Sequence, residues 1–352
     1  MAEAGHHGPP PGLHLYTRDG FVGQMAFAIR PHTVFEYTSV TGPHAPSRVA
    51  LDRVECADAT DPRALPTVFA TTRNGVVLSV SRRSTPMPYV FRNTENDELH
   101  FVQEGSFEYV TDFGTLQAGP GDFVAIGRTI TYRVNPSPDN AESLRFVVET
   151  PEQLNLNPPA PFGMVNVGRD QKRPVVTPGG EDGETEIHVK SFDGVTVFVA
   201  PHNPLLCNAV VDGQPPVWQL NLAAIAPLTY TRGGPPGQFA QTPSTDLMIY
   251  TLSARPPAAR PPQHHNADYD ELIFYVRGPG AYGAVKDPAT LAWIPKGVAH
   301  WGPLEDVPEG YLAWLLESRG TLRLAPAGLA AAEPMETGQF GTQDGAAGPG
   351  AP

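Results

Sequence analysis

The sequence predicts an all-β protein built from two small barrels in tandem, related by a pseudo-twofold axis. Three observations lead to this fold class: 40 prolines and 35 glycines separate short apolar runs, long helical periodicity is scarce, and one segment recurs in the second half. Short strands divided by turn residues are typical of β-sandwiches and barrels. At 352 residues the chain exceeds what one hydrophobic core usually serves, so two domains are expected.

Candidate strands alternate with turn signals along most of the chain. The apolar runs at 76–82, 99–105 and 144–150 predict strands of the first half, and those at 246–254 and 271–278 predict strands of the second. Pro-Gly, Asn-Pro and Gly-Pro pairs lie between such runs, where they interrupt regular structure. Helical candidates are weak by comparison, which favours sheets throughout.

An internal repeat divides the predicted sheets into two homologous halves. Residues 91–105 align with 264–278 at an offset of 173, with six identities in fifteen positions. Residues 124–132 align with 292–300 at an offset of 168, so an intervening hairpin is expected to be five residues shorter in the second half. The identical pairs are Asn93/Asn266, Asp97/Asp270, Glu98/Glu271, Leu99/Leu272, Phe101/Phe274 and Gly105/Gly278.

The second half carries a candidate metal site. The pair His264-His265 precedes Glu271 by seven and six residues, and His300 ends the run Pro-Lys-Gly-Val-Ala-His. This order matches the cupin signature, in which residues at the ends of neighbouring strands point into one barrel mouth. Two imidazoles and one carboxylate bind a metal ion on one side and leave positions open for substrate and O₂.

The spacing leaves open which member of the histidine pair is the ligand. His265 is the favoured ligand, with His264 as the alternative. The donor set suits Fe(II) first, with Mn(II), Ni(II) or Zn(II) as alternatives. Asp268 and Asp270 are candidate partners for the second N–H of a ligating histidine.

The first half lacks the same donors. Phe91, Arg92 and Tyr132 stand where the second half has His264, His265 and His300. Only the carboxylate persists, as the repeat of Glu271, and one carboxylate does not hold a divalent transition ion. The first barrel is therefore expected to be metal-free.

The predicted domain organisation follows from the repeat and from local composition. A metal-free domain with a leading arm is expected over 1–150, and a metal-binding domain over 186–335. Residues 151–185 are rich in Pro, Gly and acids without periodicity, so they are expected to form a linker. Residues 336–352 have few core-forming side chains and predict a flexible tail.

Charge and hydropathy exclude several classes of partner. Thirty-seven acidic residues against 24 Lys and Arg give a net charge of −13, which would repel phosphate backbones, so nucleic acid is not an expected partner. No apolar stretch approaches the length of a membrane span, and the first residues lack a signal-peptide pattern. A cytoplasmic protein without a membrane partner is predicted.

Several segments together resemble the homogentisate 1,2-dioxygenase family of ring-cleaving bicupin enzymes. They include residues 16–30, 81–93, 97–134, 264–278 and 315–329, and the likeness extends over most of the chain. The resemblance implies that His265, Glu271 and His300 are iron ligands and that the first barrel carries no metal. It also implies a homo-oligomer.

The resemblance implies an Fe(II)-dependent, extradiol-type ring-cleaving dioxygenase acting on a homogentisate-like or other dihydroxylated aromatic substrate with O₂. The chain departs from the family at Pro261-Pro262-Gln263 and in residues 221–230. The second segment lacks the histidine that is the proposed acid–base group of the family. Candidate substrate contacts are aromatic side chains for stacking and two cations for a carboxylate: Tyr269, Tyr275, Tyr282, Trp293, Trp301, Arg277 and Lys296.

Metal ligands alone do not fix the reaction, because one fold hosts many chemistries. The alternative hypotheses are a non-catalytic cupin that binds a small ligand and a non-redox cupin isomerase or hydrolase. Metal content and O₂ dependence distinguish these from a dioxygenase.

Overall fold

The structure is a computed structural model that describes residues 12–18, 20, 23–32, 34, 37–156, 165–225, 237–252, 263–278, 287–300 and 311–335. Strands dominate these residues, and the two α-helices are single turns, so the all-β prediction is confirmed. None of the described helices has the length and apolar character needed to cross a membrane. The helices are α1 (Val167–Asp170) and α2 (Pro326–Ala330).

The strands of the first part of the chain, in order, are β1 (Leu13–Thr17), β2 (Met25–Ile29), β3 (Ser47–Ala50), β4 (Thr67–Thr72), β5 (Val77–Ser81), β6 (Val90–Asn93), β7 (Asp97–Glu104), β8 (Phe107–Thr111), β9 (Gly114–Ala118), β10 (Asp122–Ile126), β11 (Thr131–Pro136), β12 (Leu144–Thr150) and β13 (Asn155–Leu156). Those that follow are β14 (Gln171–Lys172), β15 (Thr185–Ser191), β16 (Gly194–Ala200), β17 (Val217–Asn221), β18 (Gly237–Gln241), β19 (Leu247–Thr251), β20 (Gln263–Asn266), β21 (Asp270–Arg277), β22 (Thr290–Ile294), β23 (Leu312–Ser318), β24 (Leu322–Leu324) and β25 (Ala332–Pro334).

Two eight-stranded sheets have the same internal order, as the repeat predicts. One runs β14-β17-β10-β7-β12-β5-β4-β24, and the other runs β25-β3-β22-β21-β23-β19-β18-β13. The repeated segments lie on equivalent strands: β7 corresponds to β21, β10 to β22 and β12 to β23. The two halves therefore share one topology, and the predicted doubling of an all-β fold is confirmed.

The two large sheets share one hydrophobic core. Alternate residues of β7 and β12 point towards alternate residues of β21 and β23, because successive side chains of a strand face opposite sides. At the centre Trp314 is fully buried, with ring centroids of Phe101, Phe123, Phe146 and Phe274 at 5.3–5.6 Å. The halves are thus joined through apolar side chains of both.

A smaller sheet covers the outer face of each large one. The sheet β16-β15-β6-β11-β8-β9 packs on the first half and encloses an interior of aromatic and aliphatic side chains. The sheet β2-β1-β20 lies in the second half. In both, a hairpin adds through a parallel pair, β15 with β6 and β1 with β20. The sheets of each half are not joined into one closed ring.

Strand pairing crosses the predicted domain boundaries. The early strands β1, β2 and β3 pair within the sheets of the second half, whereas β15, β16 and β17 pair within those of the first. Residues 155–156 and 171–172, inside the predicted linker, form edge strands of opposite halves. The boundaries at 150 and 185 stay a prediction, and the predicted tail lies outside the described residues.

The repeated glycine pair has a backbone reason. Gly105 and Gly278 follow β7 and β21 with φ of 85° and 135°, a region that side chains disfavour. A Cβ at Gly105 would lie 2.9 Å from Nδ2 of Asn140. The equivalent bend at both positions ends each central strand. The shorter hairpin predicted for the second half falls largely on residues outside the described ranges.

Candidate metal centre

Two strands and a bridge bring the candidate ligands together. His264 lies on β20, Glu271 on β21, and His300 follows the turn after β22. The backbones of His264 and His300 form an antiparallel bridge with two N–H···O bonds of 2.9 Å. This bridge fixes the distance between the two imidazoles before any ion binds.

The side chains of His264, Glu271 and His300 form one buried cluster. One potential ligand atom from each lies within 4.8 Å of the others. The rings of His264 and His300 have centroids 4.4 Å apart, and Nε2 of His300 is 3.4 Å from a Glu271 carboxylate oxygen. Two imidazoles and one carboxylate thus converge on one point.

The hydrogen bonds orient the donors toward that point. Nδ1 of His300 lies 3.0 Å from the carbonyl oxygen of Val298, so an Nδ1–H donating there leaves Nε2 free to face Glu271. The Oε1 atom of Glu271 is buried and has no hydrogen-bond partner among the described residues. A buried carboxylate oxygen without a partner is costly, and a bound cation would satisfy it.

The charges of the cluster support one another. Burial opposes ionisation of Glu271, but the neighbouring imidazoles, His300 foremost, hold its pKa below the usual value. Burial likewise opposes protonation of His300, yet the Glu271 carboxylate raises its pKa. A metal ion would take the place of the proton that joins this pair, since ligating imidazole must be deprotonated at the donor nitrogen.

The structure places His264, and not the favoured His265, in the cluster. Successive residues of β20 face opposite sides, so only one of the adjacent pair can point inward. His264 is buried against His300, whereas His265 faces β1, with its Nδ1 2.9 Å from Nε2 of His14 and its ring against Tyr16. Spacing from Glu271 could not reveal which face is the inner one.

Among the described aromatic substrate candidates, Trp293 faces away from the cluster, and Tyr269 and Tyr275 are bonded to other protein groups. Trp293 pairs with Leu272 and belongs to the core between the large sheets, on the opposite face from Glu271. The hydroxyl of Tyr269 donates to the Thr245 carbonyl at 2.9 Å, and that of Tyr275 to Gly278 at 2.7 Å. Both rings are therefore held by protein contacts. Tyr282 and Trp301 lie outside the described residues.

The two candidate carboxylate-binding cations are also placed elsewhere. Arg277 is exposed at the end of β21. Lys296 donates from Nζ to the backbone carbonyls of Asp268 and Arg319 and lies 3.8 Å from Asp270. These contacts give Lys296 a structural role at the turn that precedes His300.

The Asp270 carboxylate anchors this turn, whereas the sequence had suggested that it orients a ligating histidine. Its carboxylate accepts from the indole of Trp293 at 3.1 Å and from the backbone N–H groups of Lys296 at 3.1 Å and Leu322 at 2.8 Å. The repeat preserves the arrangement, because Asp97 accepts from the equivalent backbone groups of the first half. The identity at this position therefore reflects loop anchoring.

We expect Asp270→Ala to destabilise the protein by about 3 kcal/mol, because three buried donors lose their acceptor. Urea unfolding followed by circular dichroism measures this free energy. The exposed Asp193→Ala, on the β15–β16 turn, is the matched control and should change it by no more than about 0.5 kcal/mol. Equal stabilities for the two variants would contradict the anchoring role.

Sequence reasoning missed a second carboxylate beside the cluster. Glu317 on β23 is the register partner of Glu271, and it accepts from the hydroxyl of Tyr250 at 2.9 Å. Burial, reinforced by the charge of Glu271, raises the pKa of Glu317 to about 8. The repeat could have revealed Glu317, because it aligns with Glu149 at an offset of 168. Residues 124–132 and 292–300 align at the same offset.

The first half has the same frame with other side chains. Phe91 and Tyr132 are paired across β6 and β11 as His264 and His300 are in the second half. The Tyr132 hydroxyl donates to Glu98, the repeat of Glu271. Phe91 offers no donor atom to an ion. The absence of a metal from this half stays a prediction.

Comparisons with known proteins identify related sequences. The family model described as "Homogentisate 1,2-dioxygenase N-terminal" matches residues 65–211. A candidate dioxygenase of Saccharolobus solfataricus is 26% identical over 53% of this chain and 51% of its own length. Homogentisate 1,2-dioxygenase of Bradyrhizobium diazoefficiens is 24% identical over 59% of this chain and 48% of its own. The chain thus spans about half the length of the curated relatives it matches.

Solved structures resemble the chain more weakly. A cupin 2 conserved barrel domain protein from Leptotrichia buccalis aligns with 79% of this chain and 96% of its own, at 12% identity and a TM-score of 0.37. The family-model match ends at residue 211, after the β15–β16 hairpin and before β17, which pairs with β10 in the first large sheet.

Proposed function

We propose that this chain, a divergent relative of the homogentisate 1,2-dioxygenases, is a metal-dependent dioxygenase that cleaves the ring of a dihydroxylated aromatic substrate. The observation that carries the proposal is the buried convergence of His264, Glu271 and His300. The relatives support the reaction class, since one is described as a dioxygenase and another as a homogentisate 1,2-dioxygenase.

The donor set fits a divalent transition ion, with Fe(II) as the first choice and Mn(II), Ni(II) or Zn(II) as alternatives. His264, Glu271 and His300 would hold it, and the partnerless Oε1 of Glu271 provides an oxygen donor already removed from water. A bound Fe(II) supplies one-electron chemistry with O₂ that side chains lack. This proposal replaces His265 with His264 as a ligand.

The chain's own residues orient the donors and keep the centre dry. The backbone bridge between β20 and His300 fixes the imidazoles, and the Val298 carbonyl selects the donor nitrogen of His300. All three donor side chains are less than a tenth exposed. In such a low-dielectric site, charges interact more strongly than in water, which favours an ionised substrate phenol near the cation.

Oxygen consumption tests the proposed function. Protein purified anaerobically and loaded with Fe(II) should consume O₂ when given homogentisate, gentisate or another dihydroxybenzene, with loss of the ring absorbance of the accepted substrate. His300→Ala should lower this uptake by at least about a hundredfold, since the donor set is incomplete. Chelation with EDTA should abolish it, and renewed Fe(II) should restore it.

Zn(II)-loaded protein is the matched control for redox chemistry, because zinc does not change oxidation state. It should consume no O₂. Absence of uptake with every phenol tested, despite stoichiometric iron, would reject the dioxygenase proposal. Turnover that proceeds with Zn(II) and without O₂ would instead indicate a non-redox isomerase or hydrolase.

A further inference from the structure

The first half contains a cavity of its own. Its volume is about 230 Å³, and its wall includes Glu98, the repeat of Glu271, with Phe91 and Tyr132 in the places of His264 and His300. Most of its wall is apolar, including Leu65, Met87 and side chains of the central strands. The space suits an organic molecule of modest size with an apolar body.

A buried cation stands in the cavity wall. Arg145 is 2% exposed, and its guanidinium donates to Ser81 Oγ at 2.6 Å and to Nδ1 of His100 at 3.2 Å. Its Nε–H has no hydrogen-bond partner, and the described residues provide it with no carboxylate ion pair. Asp58 reaches it only through the Ser81 hydroxyl. A buried guanidinium with an unsatisfied N–H is costly unless a ligand completes its bonding.

The carboxylates of the cavity already have partners. Both carboxylate oxygens of Glu149 accept from Lys190 Nζ at 2.6 Å. One of these oxygens also accepts from the side-chain amides of Asn93 and Asn96. Glu98 accepts from Tyr132, Asn93 and His100. Lys190 offsets the charge of Glu149, whereas Glu98 is linked to Arg145 through His100, whose Nδ1 accepts from the guanidinium. Among the described residues of the cavity wall, the buried polar side-chain atom that lacks a partner is Nε of Arg145.

We propose that this cavity is a second ligand site, which binds a small organic acid through Arg145 and encloses its apolar body between the sheets of the first half. A carboxylate would accept from the free Nε–H and neutralise the buried guanidinium, and such charge-assisted bonds are the stronger kind. Two residues of the cavity wall reach the surface: Val68 is 38% exposed, and the side chain of Lys190 is 25% exposed. A ligand would enter from their side.

Calorimetric titration of the full-length protein, as purified, tests the proposal. The probes are benzoate and pentanoate, with benzamide and pentanamide as neutral controls of matched shape. The acids should bind with saturation, and the amides at least about tenfold more weakly, since they lack the charge that pairs with Arg145. Arg145→Met should weaken acid binding by at least about tenfold and leave the amides unchanged.

Two further variants keep the result decisive. Val68→Trp, at a partly exposed wall position, should block all four probes, and it tests the site even if Arg145→Met fails to fold.

His300→Ala removes a residue of the proposed metal centre and should leave acid binding unchanged, which separates this site from the proposed active site. The proposal is overturned if neither acid saturates up to about 10 mM, a range that covers weak ligands of this size. Equal binding of acids and amides, or acid binding that survives Val68→Trp, also overturns it.

Discussion

Replacing His264 with alanine should lower the affinity for Fe(II) by more than about a hundredfold, whereas replacing its neighbour should have little effect. Loss of a partner that merely orients a ligand already costs ten- to about a hundredfold in affinity, so loss of a ligand costs more. The matched variant is His265→Ala, which removes an imidazole one residue away on the other face of β20. Anaerobic competition with a chromophoric chelator measures both affinities.

The pair of variants also tests the side-chain orientation of β20. If His265→Ala lost the ion and His264→Ala kept it, the inward face of this strand would be the opposite one, and the assignment favoured by spacing would hold. Circular dichroism of both apo variants serves as the folding control, because both imidazoles contact other side chains in the absence of metal.

Trp314→Ala should destabilise the whole protein by about 4 kcal/mol, because truncating a large buried aromatic residue leaves a cavity that the surrounding core cannot fill. Trp314 contacts phenylalanines of both halves. We therefore expect the two halves to lose stability together. Urea unfolding monitored by circular dichroism, with calorimetry as a second probe, measures the cost and the cooperativity.

Trp314→Phe is the control for ring loss. The indole N–H of Trp314 is buried without a hydrogen-bond partner among the described residues, so the smaller ring removes an unsatisfied donor while it retains most of the packing. Its cost should be well below that of the alanine variant. A cost under about 1 kcal/mol for Trp314→Ala would show that the shared core does not hold the halves together.

Local sequence patterns could not predict which strands pair with one another in the sheets. The alternation of apolar residues and turns predicted the strands, and the repeat predicted two equivalent halves. The repeat did not reveal that β1 pairs with β20 or β15 with β6. Such pairings join residues more than ninety positions apart, and the hydrogen-bonding capacity of a strand edge is the same for any partner strand. The exchange of hairpins between halves therefore carries no local signature.

The sequence by itself determined the all-β class and the doubling of the fold, and it predicted that Glu271 and His300 lie in one cluster, because these depend on residue type and spacing. Only the tertiary structure decided that His264 faces inward, that Trp293 points to the shared core and that Glu317 lies beside the cluster. The physical reason is that adjacent strand residues face opposite sides, and which side becomes the interior is set by the sheet that packs against it. That packing partner lies elsewhere in the chain.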